Sequence, residues 1–115
     1  FKKDKNLIEN LDYYESFLPK IDFIILSYGI DGHIASLFPA LKPQIKKKKV
    51  CFVYNRNNKH KFRISITLDF LLKVKNRFLF FIGPSKKNLL YKIKKKNINN
   101  HPYIKNFKLK QLIVD

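Results

Sequence analysis

The chain alternates between two kinds of apolar pattern, one with helical and one with strand periodicity. Over residues 6–18, Leu7, Ile8, Leu11, Tyr14 and Leu18 recur at the spacing of one helical face. Pro19 stops that helix because it lacks an N–H and crowds the preceding turn. Residues 21–28, rich in Ile and Phe, predict a strand covered on both faces. Gly29-Ile30-Asp31-Gly32-His33 reads as a tight turn, followed by a short helix to Leu37 that Pro39 closes. Residues 50–54 predict a second short strand and 55–61 a polar loop. Residues 63–67 alternate as a strand, and the Thr67 hydroxyl can cap a helix from 68 to about 75. Residues 77–82 form another buried strand. Gly83-Pro84-Ser85 then turns into a helix to about Lys95, with Leu89, Leu90 and Ile93 on its inner face. Residues 97–102 read as a loop and 109–114 as a last strand. Strands alternating with helices imply an α/β fold, a layered, Rossmann-like and mostly parallel sheet flanked by helices. No internal repeat is present.

Composition narrows the class. A chain of 115 residues has room for one domain, and 45% apolar content with eleven Phe and six Tyr marks it as globular. The best apolar runs, 23–26 and 78–82, are strand-length, so no membrane partner is expected. The single Cys51 excludes an internal disulfide and, with no signal peptide in view, fits a reducing cytoplasm. The chain opens on Phe1 rather than Met, and a fragment of a longer protein is expected.

The formal charge of +17 invites a nucleic-acid reading. Only three of the 25 basic residues are Arg (Arg56, Arg63 and Arg77), however, and base-edge or bidentate phosphate recognition favours Arg. Abundant Asn, Ile, Phe and Tyr accompany the Lys, and all are encoded by A/T-rich codons. Compositional drift therefore accounts for the whole set, and no specific nucleic-acid partner is expected. The runs 46–49 and 94–96 are assigned to solvated loops or helix ends. A basic surface still steers anionic substrates inward.

Ligands of such sheets bind beyond the carboxyl ends of the strands. The first candidate loop carries Asp31 and His33, flanked by Gly29 and Gly32. Glycine allows a sharp turn and close approach of a ligand to the backbone. Imidazole can take a proton near neutral pH and a carboxylate can orient it, which is what water activation needs. A structural turn, with Asp31 capping and His33 merely exposed, is the competing reading. The second candidate is Gly83-Pro84-Ser85-Lys86, where free N–H groups and the helix dipole favour an anion. A solvated Lys86 is equally open there. His60 and His101 sit in polar loops without metal-ligand spacing, and Cys51 inside a strand reads as core.

The string G-I-D-G-H-I-A-S-L-F-P at 29–39 resembles the G-x-D-G-H-T-A-S-L-F-P signature of the 6-phosphogluconolactonases. Their relatives, the glucosamine-6-phosphate deaminase/isomerases, share D-G-H-I-A but continue F-N-E-P. D-F-I-I-L before the loop is similar to the family's F-D-L-V-L-L strand, and R-I-S-I-T-L at 63–68 to its R-I-T-L-T-L. F-F-I-G-P-S-K resembles F-L-V-T-G-x-x-K, which puts Lys86 on the family lysine. The tail at 102–115 fits a closing P…L…D pattern, so the chain resembles the C-terminal half of a single family domain. Ser36, Leu37 and Phe38 decide the branch. Deaminases carry an acidic residue at the Phe38 position, although Ile34 is the deaminase-like choice where lactonases usually have Thr.

The resemblance implies hydrolysis of 6-phospho-D-glucono-1,5-lactone to 6-phosphogluconate in the oxidative pentose phosphate pathway, without metal or organic cofactor. It makes His33 the general base, and Asp31 the residue that orients His33 or shapes the loop. Lys86 becomes the phosphate ligand and Arg63 a second anion contact, with Gly29 and Gly32 lining the substrate. A neighbouring or fused glucose-6-phosphate dehydrogenase, the preceding enzyme, is the partner it suggests. Two alternatives accompany it: an amino-sugar-phosphate isomerase/deaminase, and a non-catalytic sugar-phosphate binder. The family's L-G-M-G is here Leu26-Ser27-Tyr28-Gly29, so Ser27 is strained if that position needs a positive φ. The family's N-terminal half supplies an S-G-G-S/T phosphate loop and a D-E-R segment, and neither string occurs in this chain.

Overall fold

Asn6 opens the first helix, α1 (Leu7–Ser16), through a reciprocal cap. Its side-chain oxygen accepts from the Glu9 N–H at 2.9 Å, and the Glu9 carboxylate accepts from the Asn6 N–H at 3.0 Å. Two otherwise free donors are thereby satisfied. The structure, a computed structural model, describes residues 4–41, 48–95 and 101–112, with the backbone alone at 109–112. The predicted run 97–102 therefore lies outside the described residues up to 100, as do Lys46, Lys47, Lys96 and the end of the last strand.

The apolar stripe expected on α1 is only partly buried. Leu11 is buried beside Asn10, whereas Leu7, Ile8 and Tyr14 are exposed. The reason is that the main contact of α1 with the described fold is one strand, β2 (Val50–Tyr54). Polar links complete the contact: Lys48 pairs with Asp12 at 3.1 Å, and the Lys49 N–H donates to the Glu15 carboxylate at 3.0 Å.

Three strands form a parallel sheet in the order β1 (Phe23–Ser27), β4 (Asn76–Ile82), β5 (Lys108–Leu112). Ile25 stands opposite Phe78, and Leu79 opposite Leu109. The remaining strands, β2 and β3 (Phe62–Ile66), pair antiparallel as a separate hairpin ribbon, with Val50 opposite Ile66. The expected α/β layering is therefore present, and the parallel part is confined to the strands joined by helical crossovers. Thr67 caps α2 (Leu68–Lys73), its hydroxyl oxygen accepting from the Phe70 N–H at 3.2 Å. Pro84 stands at the start of α3 (Pro84–Lys94), where its missing N–H costs nothing.

One sheet face carries the core. Tyr28, Leu79 and Phe81 are fully buried there, packed with Leu71 of α2 and with Leu90 and Ile93 of α3. Truncating a buried Phe or Leu to Ala in such a cluster typically costs about 2–5 kcal/mol. The opposite face corrects the expectation for β1: Phe23 is 55% exposed and Ile25 48%. Both α2 and α3 contribute their buried residues to the first cluster, so among the described residues the second face has no helical cover.

The second correction is at 34–37. No helix forms after His33. Instead the Ile34 N–H donates to the Leu37 carbonyl at 3.2 Å, and the Leu37 N–H returns to the Ile34 carbonyl at 2.8 Å. Ala35 takes φ 50° to close this tight turn. The Ser36 N–H donates to Ser65 Oγ at 3.1 Å, so the loop is tied to β3 rather than to its own preceding turn. The turn drives Ile34, Leu37 and Phe38 into the core, a burial that outweighs the cost of about 1–2 kcal/mol for one left-handed alanine.

Candidate active site

The loop leaving β1 is closed on itself. The Gly29 N–H donates to the His33 carbonyl at 2.9 Å, and the Gly32 N–H to the Gly29 carbonyl at 3.0 Å. Gly32 has φ 88°, a conformation that needs glycine. Gly29 is required for a different reason, which is space. A methyl group there would overlap Nδ1 and Cε1 of the His33 ring and lie 2.7 Å from Asp31 Oδ1. Ser27 lies in β1, and Ala35 is the one non-glycine residue with positive φ among those described. The serine is therefore unstrained, and the loss of the family glycine at that position is harmless to the backbone.

Asp31 and His33 form a dyad. One carboxylate oxygen, Oδ1, accepts from the His33 ring at Nδ1 (2.5 Å) and from the His33 backbone N–H (3.3 Å). Partial burial pushes the Asp31 carboxyl up, but the hydrogen bonds and charge of His33 outweigh it, so the group lies below its ordinary value. An ionised Asp31 only accepts, which fixes the proton of neutral His33 on Nδ1 and leaves the Nε2 lone pair free. The His33 side chain is 33% exposed, so water can reach it.

Phe38 supports the imidazole from beneath. Its ring centroid lies 5.0 Å from that of His33, and the Arg63 guanidinium carbon lies 5.8 Å from the same phenyl ring. Arg63 thus adjoins the dyad through Phe38, but it is anchored to the hairpin loop. Its Nε donates to the His60 carbonyl at 3.1 Å and its terminal nitrogen to Asn58 Oδ1 at 2.7 Å. Lys86 stands in the first turn of α3, at the carboxyl end of the strand beside β1.

A cleft of about 750 Å³ opens beside the dyad, with Ile30, Asp31, Asn55, Asn57 and His101 among its walls. Arg63 and Lys86 are not part of that lining. A smaller apolar cavity of about 200 Å³ lies under Leu37, Cys51 and Leu68 and contains no carboxylate or imidazole. Cys51 is buried, and burial pushes its thiol up, as befits a core residue rather than a nucleophile.

The residue that sequence spacing does not reveal is His101. Its Nδ1 lies 2.7 Å from the hydroxyl of Tyr28, a residue 73 positions earlier. Burial, aided by the Asp31 charge, pushes the Tyr28 phenol well above its usual range. Burial also lowers His101, against an opposing pull from Asp31. No local motif carries this pairing, because it depends on how the chain returns to β5. Among the described residues no helix is long and apolar enough to cross a membrane, and no three His, Cys, Asp or Glu side chains are grouped to hold a metal ion.

Comparison with known proteins places the chain among sugar-phosphate enzymes by sequence and by fold. A probable 6-phosphogluconolactonase of Dictyostelium discoideum is 31% identical over 104 residues, 81% of this chain and 44% of that protein. The 6-phosphogluconolactonase of Haemophilus influenzae is 33% identical over 82 residues, 71% of this chain and 35% of that protein. The chain thus spans less than half the length of these curated relatives. Among solved structures, 6-phosphogluconolactonase from Thermotoga maritima superposes with a TM-score of 0.71 at 22% identity, over 98% of this chain and 54% of that one. The enzyme from Plasmodium vivax gives 0.67 at 21% identity, over 95% and 52%. These two likenesses establish a shared fold. The model of the family described as glucosamine-6-phosphate isomerases/6-phosphogluconolactonase matches residues 3–108, and the chain belongs to that family.

Proposed function

We propose that the site hydrolyses 6-phospho-D-glucono-1,5-lactone to 6-phosphogluconate, with His33 as general base. The observation that carries this reading is the Asp31–His33 dyad, which holds the His33 proton on Nδ1 and leaves Nε2 as an acceptor open to water. In the reaction Nε2 takes a proton from water while the hydroxide equivalent adds to the lactone carbonyl. The tetrahedral species then collapses with cleavage of the ring C–O bond, and the departing ring oxygen receives the proton from Nε2. One water is consumed and one carboxylic acid is formed. A positioned base typically contributes about 10²–10⁴-fold.

Phe38 favours the lactonase over the deaminase branch. It is buried against the His33 ring, where an aromatic hydrocarbon can pass no proton. In this reading Lys86 receives the phosphate and Arg63 supplies a second positive charge behind Phe38. Gly29 leaves room for the His33 ring and Gly32 supplies the positive φ that closes the loop presenting it to the lactone. A reducing compartment such as the cytoplasm suits the unpaired Cys51. A dehydrogenase that makes the lactone, glucose-6-phosphate dehydrogenase, is the natural neighbour of the reaction.

The test is acid release from the lactone, corrected for spontaneous hydrolysis, alongside ammonia release from glucosamine 6-phosphate. Acid release without ammonia is expected. Ammonia release would move the protein to the other branch.

A further inference from the structure

Tyr28 is fully buried, and among the described residues its hydroxyl has one hydrogen-bond partner, His101 Nδ1 at 2.7 Å. A buried phenol needs an acceptor for its proton, because an unmade hydrogen bond there costs the full desolvation penalty. Tyr28 therefore donates, Nδ1 accepts, and neutral His101 carries its proton on Nε2. Tyr28 does not line the cleft, whereas His101 does, together with Asp31, Asn55 and Asn57. With Nδ1 held by Tyr28, the nitrogen left for a ligand in the cleft is the one bearing Nε2–H. This tautomer is opposite to that of His33, where Asp31 holds the proton on Nδ1. Asp31 and His101 both line the cleft, and the His33 ring bonded to Asp31 carries its proton on the nitrogen opposite to the one protonated in His101.

We propose that His101 is a substrate-binding residue of this site, held by the Tyr28 hydroxyl so that its Nε2–H donates to an oxygen of a polyhydroxylated acid phosphate. The proposal rests on the lactonase reading for the identity of the ligand. The remaining walls suit such a ligand, since Asn55 and Asn57 add amide groups able to pair with hydroxyls. Apolar contacts from Ile30 and Pro102 close the cleft around them.

The experiment is calorimetric titration of the protein with 6-phosphogluconate, with thermal midpoints recorded for each variant. His101→Asn keeps an acceptor for Tyr28 near the Nδ1 position but lacks the Nε2 donor, whereas His101→Gln reaches the Nε2 position with an N–H. H101N is expected to weaken binding about 3–10-fold, the size of one lost neutral hydrogen bond, without lowering the thermal midpoint. H101Q is expected to restore most of the affinity. Tyr28→Phe, which frees the ring to rotate, should weaken binding to a similar degree. Unchanged affinity in H101N would overturn the proposal, as would losses in H101N and H101Q that simply track a lower midpoint. Lactone hydrolysis with His33→Ala, run in parallel, judges the underlying reading separately. Hydrolysis that needs His33 but product binding indifferent to His101 removes only this proposal. Product binding that needs His101 without any hydrolysis removes only the lactonase reading. No binding of 6-phosphogluconate removes His101 from the role.

Discussion

The His33 imidazole occupies the space that a side chain at Gly29 would fill, since a Cβ at that position overlaps the ring at Nδ1 and Cε1. The glycine and the imidazole are therefore two halves of one feature. Gly29→Ala is expected to displace the ring, break its hydrogen bond to Asp31 and lower lactone turnover by about 10²-fold, the low end of what a positioned base contributes. The loop lies at the surface, so the fold should survive. Turnover and the His33 ring resonances, measured on the same sample, check this.

Asp31→Asn tests the tautomer. The amide can still touch Nδ1, but it can donate as well as accept and no longer fixes the proton there. Turnover should fall by about 10–10²-fold with little change in thermal midpoint. The pH dependence follows from the direction of the carboxyl shift, which is downward. A depressed carboxyl gives its pairing in full above the ordinary carboxylate range and loses it as pH falls through the lower folded value. The ring-to-carboxylate hydrogen bond should thus persist to a pH below the usual Asp range in the parent and be absent at every pH in D31N. Nitrogen NMR of His33 reads both.

His101 leads to an opposite experiment, on stability. Burial lowers it in the folded state, so the unfolded chain binds its proton first as pH falls. Stability is then complete above the ordinary imidazole value and declines between that value and the lower folded one. Thermal midpoints should begin to drop as pH falls through the ordinary imidazole pKa of about 6.5 and go on dropping until the lower folded value is passed. His101→Gln, which does not titrate, should show a flatter profile, and identical slopes would place the titrating group elsewhere.

Much of the fold was legible because its signals are local. Thr67 caps α2, Pro84 opens α3, and β2 matches its apolar run from Val50 to Tyr54. The failures were at places governed by distant contacts. The stretch after His33 has helix-compatible residues, yet the Ser65 hydroxyl and the burial of Ile34, Leu37 and Phe38 select a turn. The apolar run of β1 suggested cover on both faces, and sequence gives no count of the layers available. The same division holds at the site. Asp31 and His33 are two residues apart and visible as a motif, whereas Tyr28 and His101 meet only through the return of the chain to β5. Phe38 was visible as a departure from an acidic position, but its ring contact with His33 was not.

The central claim is that His33, oriented by Asp31, activates water toward the lactone. Its most direct test is the rate of 6-phosphogluconolactone hydrolysis by this chain above the spontaneous rate, compared with His33→Ala at matched folding by circular dichroism. The account predicts a catalysed rate that falls by about 10²–10⁴-fold in the variant. A folded His33→Ala protein that hydrolyses the lactone as fast as the parent would contradict it.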